Sequence, residues 1–398
     1  MLRTEPVVFS PLDPHLLFFA GNTLWKTRDR GDHWEKISPD LSRPNYQLPA
    51  SIGKYKEDAT KQANRRGVIY TVAPSRLDAN RIWCGTDDGL IHLTTDAGKT
   101  WANVTPAGIS AWQKISLIEA GHFDSNTAYA AVNTMRIDDL RPHIFATHDG
   151  GKTWTEIANG IPAGQIVNAV REDPERKGLL LAGTEKGVYV SFDDGANWES
   201  LRLNLPASSV RDLIIKNDDL VVATHGRGFW ILHNITPLRQ LPFVSGVVDP
   251  GTPATTKTAA VSARGYSEDL LFKPQAALRV RANLNTDTPL PPDEPAGENP
   301  PEGAMIDYFL SKDAGGPVTI EINDAKGQSV RKYSSADVPV EANPKRLKIP
   351  IYWIRPLQSF STKAGLHRFL WDMHYTPVPD VEPEFPISAT YRNTAPAV

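Results

Sequence analysis

One eight-residue pattern recurs four times in the first half of the chain: Ser or Thr, any residue, Asp, any residue, Gly, any two residues, Trp. The copies are Thr27–Trp34, Thr94–Trp101, Thr147–Trp154 and Ser191–Trp198, with start-to-start spacings of 67, 53 and 44 residues. A motif repeated at such intervals marks a repeat architecture whose units carry insertions. Its chemistry is that of a tight hairpin. The Asp accepts backbone N–H bonds within its own turn. The Gly supplies a positive φ that other residues resist. The Trp buries a large flat surface and finds a partner for its N–H. A catalytic residue has no need of four equivalent copies. Asp29, Gly31, Trp34, Asp96, Gly98, Trp101, Asp149, Gly151, Trp154, Asp193, Gly195 and Trp198 are therefore read as structural.

Short β-type runs fall in fixed order around each motif. In the second unit Val68–Val72 is a strand, a turn rich in Pro, Asp and Asn follows, and Arg81–Gly85 is the next strand. Asp87-Asp88-Gly89 then reads as a hairpin turn, and Leu90–Thr95 leads through the motif to a strand starting at Trp101. The fourth unit repeats this order, and a fifth keeps its first three strands but lacks the motif. Four antiparallel strands per unit, repeated radially, predict an all-β fold of the β-propeller class. Five blades are expected, each four-stranded and part of a larger ring, over about 6–38, 68–105, 115–158, 166–201 and 210–233, within a propeller region 1–241. The 33 prolines of the 398-residue chain agree, since they discourage long helices.

The repeats resemble the Asp-box, or bacterial neuraminidase repeat, of sialidases, two-propeller xyloglucan hydrolases and sortilin-type receptor domains. Asp219–Leu232, with its His225-Gly226-Arg227-Gly228 turn, and Thr286–Pro301 resemble a large bacterial group of glycosyl hydrolase or sortilin-like repeat proteins. The resemblance covers essentially the whole chain and implies export, with any signal lying on a missing N-terminus. Members of that group are far longer, with seven blades usual. The chain is accordingly read as a fragment or truncated reading frame, and a closed five-bladed ring is the alternative.

Beyond Leu241 the pattern changes. Residues 242–305 hold ten prolines and almost no apolar period, as in a linker or strap. From Ile306 the β signal returns at 306–310, 318–322, 329–333, 347–351 and 367–371. Residues 306–398 are read as a small, immunoglobulin-like β-sandwich, short of strands if it ends at Val398.

Strand alternation separates two rims. The Asp-box turns share one rim with the turns joining first and second strands. The turns joining second and third strands share the other with the connections between blades. Sialidase-type propellers resemble this arrangement and place substrate on that second rim. The insertions fall there. Residues 39–67 carry Tyr46, Tyr55 and Arg65-Arg66; 106–114 carry Trp112; 133–143 carry Arg136, Asp138, Asp139, Arg141 and His143. Asp87, Asp88, Glu185, Lys186, His225 and Arg227 lie in shorter turns. Long loops on a rigid scaffold are where binding residues sit.

Glycoside hydrolysis needs two carboxyl groups ~5–5.5 Å or ~6.5–9.5 Å apart. Asp87, Asp138, Asp139 and Glu185 are the catalytic candidates, and Trp112, Arg136, Arg141, His143, His225 and Arg227 the substrate-binding ones. The plainer reading makes Asp87, Asp88 and Glu185 turn formers.

Two functions stay open: a secreted or periplasmic carbohydrate-binding or carbohydrate-processing propeller, inactive as this fragment, or a non-catalytic scaffold for peptides and proteins. The expected partners are a carbohydrate or peptide and the missing blades or second propeller of a parent protein. Nucleic acid is not expected at a net charge of −3. No cofactor, metal site or membrane span is expected either: His spacing is wrong for a metal, there is one cysteine, Cys84, and no apolar run reaches ~18 residues.

Overall fold

The computed structural model describes residues 5–44, 67–241, 268–278, 303–338 and 358–376, with positions 293, 301, 343–345, 347 and 349–353. Tyr46, Tyr55, Arg65-Arg66, most of 242–305, and 377–398 lie outside the described residues. Two compact units follow one another, the first ending at Leu232 and the second beginning at His233.

The first unit is built from five antiparallel sheets in chain order, which match propeller blades. The first holds β1 (Val7–Phe9), β2 (Leu17–Ala20), β3 (Leu24–Thr27) and β4 (Glu35–Lys36). The second holds β5 (Ile69–Pro74), β6 (Ile82–Thr86), β7 (Ile91–Thr94) and β8 (Ala102–Asn103). The third holds β9 (Lys114–Ala120), β10 (Ala128–Asn133), β11 (Ile144–Thr147) and β12 (Thr155–Glu156). The fourth holds β13 (Val167–Glu172), β14 (Leu180–Thr184), β15 (Gly187–Ser191) and β16 (Glu199–Ser200). The fifth has three strands among the described residues, β17 (Val210–Lys216), β18 (Asp219–Thr224) and β19 (Phe229–Leu232). The fifth unit was read as keeping three strands and lacking the motif, and three are found: no Asp-box turns its third strand back.

Successive sheets stack through their first strands, β5 on β9, β9 on β13 and β13 on β17. Side chains alternate between the two faces of a strand, so an interior blade is apolar on both. Ala128, Ala130 and Val132 pack with Trp83, Ile91 and Leu93 of the second sheet. Their neighbours Tyr129 and Ala131 pack with Val167, Val170 and Leu180 of the fourth. Ions reinforce the stack. Arg171 on β13 bonds Glu119 Oε2 on β9 at 2.7 Å, Asp212 Oδ1 on β17 at 2.9 Å and the Leu213 carbonyl at 2.8 Å. Burial pushes the Glu119 carboxyl up, but Arg171 and His122 outweigh it and hold the group below its ordinary value.

The four Asp-boxes are near-identical. The Ser or Thr hydroxyl donates to Asp Oδ1 at 2.7–2.9 Å and accepts the Gly N–H at 2.9–3.1 Å. The Asp also accepts the N–H of the residue four positions on, at 2.8–3.0 Å. These donors hold Asp96 and Asp149 at about 2, well below an ordinary carboxylate.

The Trp clasps the preceding sheet rather than its own. Trp101 Nε1 donates to the Ile37 carbonyl at 2.8 Å, Trp154 to Val104 at 2.7 Å and Trp198 to Ile157 at 2.5 Å. Each acceptor directly follows, or closely follows, the last strand of the blade before. Trp34 belongs to the first sheet and has no preceding blade among the described residues. Its Nε1 makes no hydrogen bond there, it is 39% exposed, and its ring meets only Phe19 edge-on at 5.8 Å.

The two rims are arranged as the strand order implies. On one, box residues bond the first turn of their own blade: Ala97 N–H to Asn80, Gly150 to Asn126 and Asp194 to Gly178, at 2.8–2.9 Å. On the other, Asp87 N–H bonds Val68, Glu185 bonds Ile166 and His225 bonds Ser209, at 2.8–3.0 Å.

In the second unit a short helix, α1 (Thr236–Gln240), precedes a sheet of β20 (Leu270–Leu271), β21 (Ala304–Leu310) and β24 (Gly365–Trp371) and a hairpin of β22 (Thr319–Asn323) and β23 (Ser329–Ser334). The expected strand at 347–351 is absent among the described residues, and a 3₁₀ turn begins at Ile351. Ile306, Phe360 and Phe369 form the core. Arg368 bonds both oxygens of buried Asp307, at 2.7 and 3.1 Å, and the carbonyls of His233 and Asn234.

Candidate functional site

The first strand of each sheet from the second to the fifth carries a β-bulge within three residues of its start. The pairing skips Tyr70 in β5, Ser116 in β9, Asn168 in β13 and Arg211 in β17. The first sheet pairs regularly. A bulge leaves one residue unpaired and re-aims its side chain. Because strand starts lie on the rim opposite the Asp-boxes, the four bulges occupy equivalent positions around that mouth.

Polar contacts run across the mouth from sheet to sheet. Lys114 Nζ of the third sheet sits 4.3 Å over the Tyr70 ring of the second. Asn133 Nδ2 donates to Asn168 Oδ1 at 2.7 Å. Asn168 Nδ2 in turn donates to Glu185 Oε1 at 2.9 Å and to the Val210 carbonyl of the fifth sheet at 3.0 Å. Arg211 Nη1 lies 3.2 Å from Glu185 Oε1. Within the third sheet, Ser116 Oγ donates to the Ala131 carbonyl at 3.0 Å. Burial depresses the Lys114 ammonium; its hydrogen bond and charge interaction with Tyr70 oppose this, and the charges of Arg136 and Arg211 add a smaller depression.

Trp112 and Arg136 stand beside this chain. Trp112 adopts φ 69°, a left-handed conformation that costs a bulky residue about 1–3 kcal/mol. Its N–H donates to the Asp88 carbonyl at 3.0 Å, and the Arg136 guanidinium lies 6.0 Å from its ring centre. Arg136 Nη1 also meets Asp87 Oδ2 at 3.3 Å.

The candidate carboxylates are engaged locally. Asp87 Oδ1 accepts the Val68 N–H at 2.8 Å. Asp88 accepts the Arg43 N–H at 2.8 Å and the Thr86 hydroxyl at 2.5 Å, and burial raises its pKa. Asp138 caps the 3₁₀ turn Met135–Ile137 at φ 63° and is exposed. Asp139 takes a two-pronged bond from Arg141 at 2.9 and 2.8 Å and meets His143 Nε2 at 3.1 Å. The Arg141 bonds hold it well below the usual carboxylate range against the opposing effect of burial. His143 Nδ1 meets Glu156 at 2.6 Å. His225 and Arg227 are exposed in the last hairpin, where Arg227 N–H bonds Thr224 Oγ1 at 3.2 Å.

The structure thus brings Asp87, Arg136, Trp112 and Glu185 to the mouth, and groups Asp139, Arg141 and His143 in a separate cluster. Tyr70, Lys114, Ser116, Asn133, Asn168 and Arg211 were not singled out from sequence. Their shared signal is position, near the start of a blade's first strand or the end of its second. No group of three or more His, Cys, Asp or Glu fit to hold a metal occurs among the described residues. Nor is any described helix long and apolar enough to cross a membrane.

No family model matches the chain. It is 33% identical over 108 residues to vacuolar protein sorting/targeting protein 10 of Pyrenophora teres f. teres, covering 25% of this chain and 7% of that protein. It is 25% identical over 167 residues to a probable oligoxyloglucan-reducing end-specific xyloglucanase of Neosartorya fischeri, covering 39% of this chain and 18% of the enzyme. The chain therefore spans less than a fifth of the length of these curated relatives. Among solved structures, the GH74 xyloglucanase of Xanthomonas campestris is similar at 22% identity and a TM-score of 0.43, covering 58% of this chain and 37% of that one. The chain's relatives are Asp-box propeller proteins, with xyloglucanases and sortilin-type sorting proteins among them.

Proposed function

We propose that this is an extracytoplasmic propeller that binds carbohydrate at the mouth opposite its Asp-boxes, with its second unit a small β-sandwich module. The observation that carries the reading is the set of bulges that turns Tyr70, Asn168 and Arg211 onto one rim, beside Trp112 in its strained conformation. Saccharides are recognised by aromatic faces together with fixed polar groups, and the mouth offers both. The likeness to a xyloglucanase agrees with this class of ligand.

Binding fits the mouth better than hydrolysis. A glycosidase needs one protonated and one ionised carboxyl flanking an open bond. Asp88 has the raised pKa of an acid, but it is buried and committed to Arg43 and Thr86. Asp139 is held ionised by Arg141 and cannot donate a proton.

The experiment is a calorimetric screen of the 398-residue chain against neutral and acidic plant and bacterial oligosaccharides, with Trp112→Ala and Arg227→Ala beside it. Expected are binding without turnover, loss of binding in Trp112→Ala, and no change in Arg227→Ala. No binding across the panel refutes the reading. Binding of extended peptides with no saccharide bound would establish the scaffold function instead, to which the likeness to a vacuolar sorting protein points.

A further inference from the structure

One cluster at the mouth joins cations and carboxylates from several sheets. Arg136 faces Asp87 at 3.3 Å and Arg211 faces Glu185 at 3.2 Å. Arg43 is taken up by Asp88, through its own N–H to the carboxylate at 2.8 Å and its guanidinium to the Asp88 and Gly89 carbonyls at 2.8 and 3.1 Å. That leaves Lys114, which lies over the Tyr70 ring and within electrostatic reach of Arg136 and Arg211. No carboxylate contacts its ammonium among the described residues. Among the described residues of this cluster, the cations Arg43, Lys114, Arg136 and Arg211 stand with the carboxylates Asp87, Asp88 and Glu185, and the last of these is shared with Asn168.

The Lys114 ammonium is partly buried and is partnered by Tyr70, through a hydrogen bond and its ring, but by no carboxylate among the described residues. Water stabilises it poorly once the mouth is covered. A ligand carboxylate at this point would receive charge-assisted hydrogen bonds from Lys114 and a neighbouring guanidinium, the strong class of such bonds. Arg136 and Arg211 remain partly exposed and able to reach a ligand, whereas Asp87 and Glu185 are largely covered. The exposed face of the cluster is the cationic one. Asn168 is bonded to partners in the third, fourth and fifth sheets, and one of them is Glu185.

From this juxtaposition we infer that the ligand of the mouth is an acidic saccharide, a chain bearing uronate carboxylates, with Lys114 and Arg211 as its anion-binding pair. The inference rests on the carbohydrate reading above and narrows it.

The test compares matched ligands by titration calorimetry on the full chain. Oligogalacturonate and oligomeric alginate are each paired with the carboxyl-reduced form, in which every carboxylate has become a primary alcohol. At low salt the acidic member of a pair should bind at least about tenfold more tightly, equal to roughly 1.4 kcal/mol and within the range of one bond to a charged group. The preference should shrink as ionic strength is raised well above 0.1 M, where screening shortens to less than about 10 Å. Lys114→Met should abolish the preference, and Lys114→Arg should restore most of it. Arg211→Gln should reduce it and serves as a second route should Lys114→Met fail to fold. Equal or tighter binding of the reduced member overturns the inference and leaves the carbohydrate reading standing. Binding of neither member of either pair, with neutral saccharides bound in the wider screen, also overturns the inference alone. Failure of every saccharide overturns both.

Discussion

The clasp geometry separates four motifs that look alike in the sequence. Trp198 is 4% exposed and donates to the Ile157 carbonyl across a blade boundary, whereas Trp34 is 39% exposed and donates to nothing among the described residues. Replacing Trp198 by Ala deletes a buried aromatic ring and leaves a carbonyl unpaired, so about 3–5 kcal/mol should be lost. Replacing Trp34 removes the edge-on contact with Phe19, worth about 0.5–1.5 kcal/mol. The box glycines give an independent pair. Both have positive φ, +86° at Gly195 and +100° at Gly31, so Ala strains both backbones. A Cβ on Gly195 would also stand 2.3 Å from Ile157 Cδ1, whereas one on Gly31 meets nothing nearer than its own Trp34 at 3.7 Å. Gly195→Ala should therefore be the more damaging. The assay is urea unfolding followed by far-ultraviolet circular dichroism, which does not depend on the deleted tryptophan. With a slope of ~3 kcal/mol/M, Trp198→Ala should lower the first unit's midpoint by about 1 M or more, and Trp34→Ala by about 0.5 M or less. The two units need not melt together, so their transitions are fitted separately. Equal losses at Trp34 and Trp198 would refute the argument that the clasp acts between blades.

Two other outcomes follow from the charged interior. Arg171→Met should cost about 3–5 kcal/mol in the same unfolding assay, because it strands the buried Glu119 carboxylate. The double variant with Glu119→Gln should recover part of that loss. On acidification, Asp96 and Asp149 have folded-state values of about 2 against an ordinary 3.8. Their contribution is complete above about pH 4 and is lost as pH falls through about 2. Asp96→Asn should therefore flatten the acid limb of a stability profile over that window and lower stability at neutral pH; an unchanged acid limb would contradict it.

Much of the fold was legible because its signals are local. Thr94, Asp96, Gly98 and Trp101 announce a hairpin through hydrogen bonds closed within eight residues, and those bonds form as the motif implies. Strand order then followed from alternating turns, and with it the division into two rims. The strand expected at 347–351, absent among the described residues, shows the limit of reading β-type runs alone.

The mouth itself was decided by tertiary structure. Tyr70, Ser116, Asn168 and Arg211 sit inside first strands and look like ordinary strand residues, because a bulge is a mismatch between two chains of residues and neither strand records it alone. The same holds for the clasp. Sequence placed Trp101 at the start of its own blade's fourth strand, but its acceptor, Ile37, lies 64 residues earlier, just past the last strand of the blade before. It holds also for Lys114, whose lack of a carboxylate depends on where Asp87 and Glu185 spend their charges, on Arg136 and Arg211. Local bonding determined the repeating unit; the stacking of those units determined which side chains face one another, and so where a ligand can be held.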